Sequence, residues 1–384
     1  MLVLASSCRR AATPSSESVP KDRVSVKQTD QPKAKSPSAL RQLSDQQRQA
    51  LDAISAVGGN VARAASGCPT AIDLASDRVF ANETLVRAVL AFPHLKTLRL
   101  AVTTVSLPTL RRLQSLTELR TLFLQDGPFT DDDLGRLLRA MPELRHLGLR
   151  RVNGVSDAVI KLAAKCSKLE VLDLIEMPQI TGKCLSQLKT ISKLRALDLR
   201  NCGQLVSGDF AKLTALEQLQ DLKIGGPAVD DDALRAILPL RHLVSLTVED
   251  AGITGDALHS MAEDAKFATR LRSLAFARCF GVTDESLSVL PKFTNLRSFA
   301  LREIMVTGEF LALLSQAGQQ LPHLKSLTIT GAFLTDDKLT LLPRIAPNLE
   351  RLDLRGNAGI TGTARAILKQ IPTLKQVQLD GGER

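Results

Sequence analysis

The chain has no tryptophan and no tyrosine, and only 12 phenylalanines among its 384 residues. Its core must therefore be aliphatic, and its surface offers few rings on which nucleic-acid bases could stack. Long apolar runs are also missing: no stretch of about 18 apolar residues could span a bilayer as a helix. Six cysteines (Cys8, Cys68, Cys166, Cys184, Cys202 and Cys279) form no C-x-x-C pair and no Cys/His ligand spacing. That argues against a zinc site and, at this density, against a disulfide framework. The last five are expected to act as small buried hydrophobes. Gly225-Gly226 and Gly381-Gly382 belong to no G-x-x-x-x-G-K-[ST] element and read as turn glycines. The five histidines, His94, His146, His242, His259 and His323, make no catalytic constellation. No cofactor, metal or enzymatic activity is expected.

Hydrophobic content is 44%, ordinary for a folded protein, and the formal charge is +10. Residues 1–38 hold seven Lys/Arg and three Asp/Glu, so four of those charges sit there. The rest of the excess is interleaved with acids, without the continuous basic stripe that nucleic acid would require. Residues 1–38 are rich in Ser, Pro, Lys and Arg, which predicts a disordered basic tail. Met1–Cys8 resembles the end of a bacterial lipoprotein signal with Cys8 as the lipidated residue. It lacks a basic leader and its apolar part is short, so a lipid anchor at Cys8 requires an upstream start. A Ser-rich leader is also similar to those of bacterial effectors delivered by injection systems.

Residues 39–68 predict a small helical cap. Ser44 and Gln47 make a capping box, Leu43 can staple onto the first turn, and Leu51, Ile54 and Val57 follow at helical spacing before Gly58-Gly59. Asn60–Ala65 reads as a second short helix.

From residue 69 to 384 one frame recurs, seen best in Leu194-Arg195-Ala196-Leu197-Asp198-Leu199-Arg200-Asn201-Cys202. After a degenerate copy at Ala71-Ile72-Asp73-Leu74, copies begin at Leu95, Leu119, Leu144, Leu169, Leu194, Leu219, Leu243, Leu271, Leu296, Leu324, Leu349 and Leu374. Their spacing is 24–28 residues, with extra residues near Asp264-Ala265-Lys266 and Gln316-Ala317-Gly318. Leucines two apart face one side of a strand, here the core. The second half of each copy runs apolar–Thr/Ser–Asp/Gly, as in Phe129-Thr130-Asp131 and Ile180-Thr181-Gly182. The hydroxyl suits a helix N-cap and the acid suits the positive end of the helix dipole. Pro93, Pro142, Pro322, Pro347 and Pro372 stand where each helix must stop. Asp131-Asp132-Asp133 and Asp230-Asp231-Asp232 fall at helix starts, so dipole pairing accounts for them better than calcium. Cys166, Cys184 and Cys202 are 18 apart, out of step with the period, and cannot form a column.

The frame over roughly residues 70–380 resembles the leucine-rich-repeat family. It is similar to long repeats of the cysteine-containing type found in F-box proteins and bacterial GALA-type effectors. Cys166, Cys202 and Cys279 stand where that pattern places Cys. The resemblance implies an α/β, right-handed solenoid of about 12 repeats, with a concave parallel sheet, convex helices and a non-enzymatic protein-binding role. A GALA-like effector or F-box-like adaptor, acting in a host or its own cytoplasm, would dock a ubiquitin-ligase component on residues 40–66. That segment is short for an F-box and has Leu40-Arg41 in place of the usual Leu-Pro entry. The alternative is a lipid-anchored or secreted bacterial surface recognition protein.

Any specificity must lie at the positions between the leucines, which a solenoid presents in columns. The expected partner contacts are Phe123, Arg150, Arg151, Asp173, Asp198, Arg200, Arg302 and Arg355, because arginine and exposed phenylalanine anchor protein interfaces.

Overall fold

A computed structural model describes residues 43–75 and 79–380. The predicted tail, with Cys8, lies outside them, as does Gly381-Gly382. The chain enters through helix α1 (Asp45–Ala56) and continues through β1 (Asn60–Arg63), β2 (Pro69–Leu74), β3 (Thr97–Ala101), β4 (Thr121–Gln125), β5 (His146–Arg150), β6 (Val171–Ile175) and β7 (Ala196–Asp198). The second half comprises β8 (Asp221–Gly225), β9 (Ser245–Glu249), β10 (Ser273–Ala277), β11 (Ser298–Arg302), β12 (Ser326–Thr330), β13 (Arg351–Asp353) and β14 (Gln376–Gln378). Among the described residues these form one sheet in strict chain order. β1 pairs antiparallel with β2, and β2 with β3 begins a run of parallel pairs that ends at β13 with β14. This is an α/β leucine-rich-repeat solenoid.

The repeated leucines build the core. Leu194, Leu197 and Leu199 are buried, as are their counterparts in neighbouring copies, and together they make one continuous apolar stack. Adjacent strands sit about 4.8 Å apart, whereas a helix with side chains is about 10 Å wide. The two sides can stay in step only if the sheet lies on the inside of a curve. The helical side also tightens: Gly182–Leu185 is followed by a 3-10 turn at Leu188–Thr190, and Ser207–Ala215 and Ser286–Lys292 are 3-10 throughout. A 3-10 turn rises about 2.0 Å per residue against 1.5 Å, so it spans the same height with fewer residues. The extra residues at Asp264 become a further helix, Ala265–Arg270, whose N-cap Asp264 accepts from the Phe267 amide at 2.9 Å.

At the entry end, the capping box forms as expected. Ser44 Oγ accepts from the Gln47 amide and Gln47 Oε1 from the Ser44 amide, both at 3.2 Å. α1 buries Ala50, Leu51 and Ile54 against the first repeat. The second helix expected over Asn60–Ala65 is instead strand β1, folded back on β2 with Asn60 opposite Asp73. Asn60–Arg63 has no apolar face to bury as a helix, while pairing covers the first edge of the sheet. Among the described residues no helix is long and apolar enough to cross a membrane.

Repeats are joined by more than their leucines. An Asp one residue past the helix-entry position reaches into the next repeat in five copies. Asp157 accepts from the Thr181 amide at 2.7 Å and its hydroxyl at 2.6 Å. Asp131 does the same for Ser156, Asp231 for Thr254, Asp284 for Thr307 and Asp336 for Thr361. Glycine takes this position where the next repeat brings its own acceptor. Asp209 accepts from the Val206 amide at 3.0 Å, and a Cβ on Gly182 would lie 1.8 Å from its carboxylate. Ser286 caps Thr283 in the same way, and a Cβ on Gly255 would stand 3.0 Å from its Cβ. At Gly182 and Gly255 the choice of Gly over Asp thus follows which repeat supplies the acceptor, whereas Gly308 answers to its left-handed φ of 85°.

One buried register position ties successive repeats on the inner side. Cys202 Sγ donates to the Leu174 carbonyl at 3.1 Å, and Cys279 Sγ to the Val248 carbonyl at 3.6 Å. Asn357 Nδ2 donates to the Ile329 carbonyl at 2.6 Å. Burial pushes the Cys202 thiol up to about 12, so this thiol stays protonated and inert.

Leu197→Ala should cost roughly 2–5 kcal/mol, read as a lower urea midpoint in circular dichroism. Asp157→Ala, which strands the Thr181 donors, should cost roughly 1–3 kcal/mol. An unchanged midpoint for either would contradict its assigned contact.

Candidate protein-binding face

The open side of the sheet is a set of hydrogen-bonded columns. The central one runs Asp73, Arg99, Phe123, Gly148, Asp173, Asp198 and Lys223 over β2–β8. It continues Thr247, Ala275, Ala300, Thr328, Asp353 and Gln378 over β9–β14. Beside it lie Gln125, Arg150 and Ile175, then Gly225, Glu249, Ala277, Arg302 and Thr330. One residue further, the chain leaves the sheet in the left-handed region, with φ between 50° and 59° at Asp126, Arg151, Glu176, Asn201, Asp250, Arg278 and Glu303. Gly226, Gly331 and Gly356 take this turn where no side chain is kept. A non-glycine residue in that conformation is strained by of order 1 kcal/mol or more.

That strain places a row of charges where they can pair. Arg151 donates to Asp126 at 2.6 and 3.0 Å and to Glu176 at 3.0 Å, and Arg150 donates to Glu176 at 2.7 Å. Arg278 does the same for Asp250 at 2.6 and 3.1 Å and also bonds Glu249. The Arg151 guanidinium holds the Asp126 carboxyl below its usual range, and Arg278 does so for Asp250.

Two repeats share the sequence Asp-Leu-Arg and the same local structure. Asp198 accepts from the Arg200 amide at 3.1 Å and from its guanidinium at 2.8 Å. Asp353 accepts from the Arg355 amide at 3.2 Å and from its guanidinium at 2.8 Å. The carboxylate captures the amide two residues on, an Asx-type turn, and β7 and β13 accordingly stop at three residues. Arg200 also reaches Glu249 two repeats away. Gly225 lies beneath that span, and a Cβ there would come within 2.2 Å of the Glu249 carbonyl oxygen, so its missing side chain lets the neighbouring backbone approach. Gly226, the second glycine of the pair, makes the expected turn with φ 96°.

Phe123, expected to be exposed, is 4% exposed. Its ring lies over Gly148, where a Cβ would come within 2.2 Å of it, and the Arg99 guanidinium covers it 4.2 Å from the ring centre. Asp198 is buried under Arg200, and Asp173 accepts from His146 Nε2 at 2.6 Å. Arg150, Arg151 and Arg200 are bound to carboxylates of this chain. Arg355 is exposed and clasped by Asp353. Arg302 is exposed and has no side-chain partner among the described residues. Around it the face is small-chained: Ala275, Ala277, Ala300, Thr328 and Thr330.

Two features were not expected from the sequence. Asp221 stands beside the acids of the central column: burial, with Asp198 and Asp173 nearby, raises its pKa despite Lys223 and Ser245. Phe280, Met305 and Phe333 are exposed at 64, 61 and 59%, each two residues past a left-handed turn. The repeat period aligns them, nine residues past Leu271, Leu296 and Leu324. Among the described residues no cluster of His, Cys, Asp and Glu could hold a metal.

The carboxyls predict opposite pH responses. Asp126 is depressed in the folded chain, so its stabilisation is complete above the unfolded value near pH 4 and is lost on acidification below it. Asp126→Asn should lower the melting temperature at pH 7 and flatten its fall between about pH 4 and 2. Asp221 is raised, so its ionised form opposes folding at neutral pH. Asp221→Asn should raise the melting temperature at pH 7, and the gain should vanish below about pH 4. Matching signs for the two variants would refute this assignment.

No protein-family model matches the chain, and no curated protein matches it in sequence. Among solved structures it is similar to the Rad7–Elc1 complex of yeast, at 21% identity and a TM-score of 0.49, covering 79% of this chain and 84% of that one. It is also similar to an internalin (inlF) of Listeria monocytogenes str. 4b F2365, at 17% identity and a TM-score of 0.45, covering 91% of this chain and 98% of that one.

Proposed function

We propose that the chain is a non-enzymatic scaffold that binds a partner protein on the concave face, over β9–β13. Arg302 carries the proposal: an exposed guanidinium without a carboxylate of its own, set among alanines and threonines. An interface gains from a cation left for the partner and from a flat surface that excludes water around it. Of the expected contacts, Arg302 and Arg355 are assigned to the partner. Phe123, Arg150, Arg151, Asp173, Asp198 and Arg200 are assigned to holding the face in shape.

The adaptor form of this function would seat a ubiquitin-ligase component beside α1. An apolar cleft of about 420 Å³ lined by Leu43, Gln47, Cys68, Pro69, Phe92 and Pro93 favours it. The burial of Ala50, Leu51 and Ile54 against the repeats weighs against it, since α1 then has no second apolar stripe. Pro93→Arg, at the mouth of that cleft, should abolish binding of a purified linker subunit if this form holds. The effector and surface-anchored forms turn on residues outside those described.

Photo-crosslinking tests the scaffold. A crosslinker at residue 302 or 328 should capture one discrete partner, and one at Lys189 or Lys292 on the convex side should not. Capture of the same partner only from the convex positions would overturn the proposal.

A further inference from the structure

Six large apolar side chains are exposed among the described residues, and three of them, Phe280, Met305 and Phe333, occupy one register position in consecutive repeats. Two residues before them the repeats are hydrogen-bonded: the Arg278 amide donates to Arg302 at 2.9 Å and the Glu303 amide to Thr330 at 2.8 Å. The Phe333 amide donates to Val306, next to Met305, at 3.0 Å. The three side chains therefore stand in a row at roughly strand spacing, about 4.8 Å apart. The row ends abruptly: the same position is Gly252 in the repeat before and Ala358 in the repeat after. A solvated loop has no use for three large apolar groups in line.

We infer that this row is the docking edge for an amphipathic helix of the partner protein, with a carboxylate on that helix meeting Arg302. The inference rests on the scaffold reading and specifies the partner's chemistry. Three projecting side chains one repeat apart make a continuous apolar ridge. Residues three or four apart on a helix have Cβ atoms about 5–6 Å apart, which matches that step. A helix laid along the row can thus rest its apolar stripe, spaced at i and i+3 or i+4, on the ridge. Its polar flank then faces the sheet, where Arg302 lies at the end of β11 and makes no ion pair among the described residues, the adjacent Glu303 being turned to Arg278. Charge complementarity selects an acidic flank, because a basic one would meet an unneutralised guanidinium. The nearby Arg278 is already held by Glu249, Asp250 and Glu303, so Arg302 is the cation left to answer it.

The test is selection of helical peptides from a randomised display library on the full chain. Recovered peptides are then measured by fluorescence anisotropy against the wild type, the triple variant Phe280→Ser/Met305→Ser/Phe333→Ser, Arg302→Glu, and Thr328→Arg at the centre of the open face. All three row residues are more than half exposed, so the triple variant should keep the wild-type melting temperature. The expected result is peptides with apolar residues at i and i+3 or i+4 and an adjacent Asp or Glu. Their affinity should fall at least about tenfold in the triple variant and in Arg302→Glu. Replacing the peptide's acid by Lys should weaken binding to the wild type and restore it to Arg302→Glu. No enriched peptide, or peptides that bind the triple variant unchanged, would overturn the inference. If those peptides are lost in Thr328→Arg, the concave-face scaffold survives and only the rim assignment fails. Two further results would overturn it by naming another occupant: a wild-type dimer in sedimentation that the triple variant abolishes, or row-dependent binding to phosphatidylcholine vesicles.

Discussion

The parallel register of β2 through β14 is the constraint on which everything else depends. A slip of one residue at any pair would turn the leucines outward and the charged columns inward. Nothing within a single repeat prevents that slip, because a three- to six-residue strand has little identity of its own. The register is held by links on three levels. Leucines stack in the core, the Asp-to-hydroxyl bonds join helix entries, and the side chains of Cys202, Cys279 and Asn357 reach back to carbonyls of the preceding repeat. Each link spans one repeat step, so each repeat is positioned by its neighbours and by little else.

The left-handed turn after the strands shows how this architecture uses strain. Glycine would take the turn without penalty, and Gly226, Gly331 and Gly356 do so. Seven other residues accept the cost, and most are charged. In Asp126, Arg151 and Glu176 the gain is visible, since consecutive turns place opposite charges within 3.0 Å of each other. Such half-buried, two-sided pairs are better placed to stabilise than isolated surface pairs. Where Gly225-Gly226 interrupts the row, Arg200 and Asn201 reach across to Glu249 and Asp250. The row of charges thus continues past a repeat that contributes none.

The fold and the face of the sheet were legible in the sequence because both are consequences of one period. The leucine frame placed the strands, and counting from it placed the central-column residues from Arg99 to Asp353 side by side, as they stand. What was not legible depends on distances between repeats. Phe123 looked like an exposed anchor until Gly148 and Arg99 are seen as the floor and lid of its ring. Both stand next to it in the column, so the signal was present, but column membership does not say which side chain lies down on which. The arginines Arg150, Arg151 and Arg200 read as partner contacts because their carboxylates are 2, 25, 26 or 49 residues away. β1 was missed for a different reason: four residues with no periodicity become a strand only because an open edge lies beside them.

Internal neutralisation also explains why the two halves of the face differ in what they can do. A charge already held by two partners gives a newcomer little, since binding it means breaking bonds of similar strength and desolvating the groups again. Arg151, Glu176 and Arg200 in the half over β3–β8 are in this condition, so the density of charge there is a poor guide to recognition. The half over β9–β12 looks poorer by composition, with alanine and threonine where the other half has arginine and aspartate. Yet small side chains leave a surface that another protein can approach closely, and the single uncommitted guanidinium on it keeps its full interaction for the partner. In a repeat protein built this way, the place to look for binding is where the ladder of internal pairs stops.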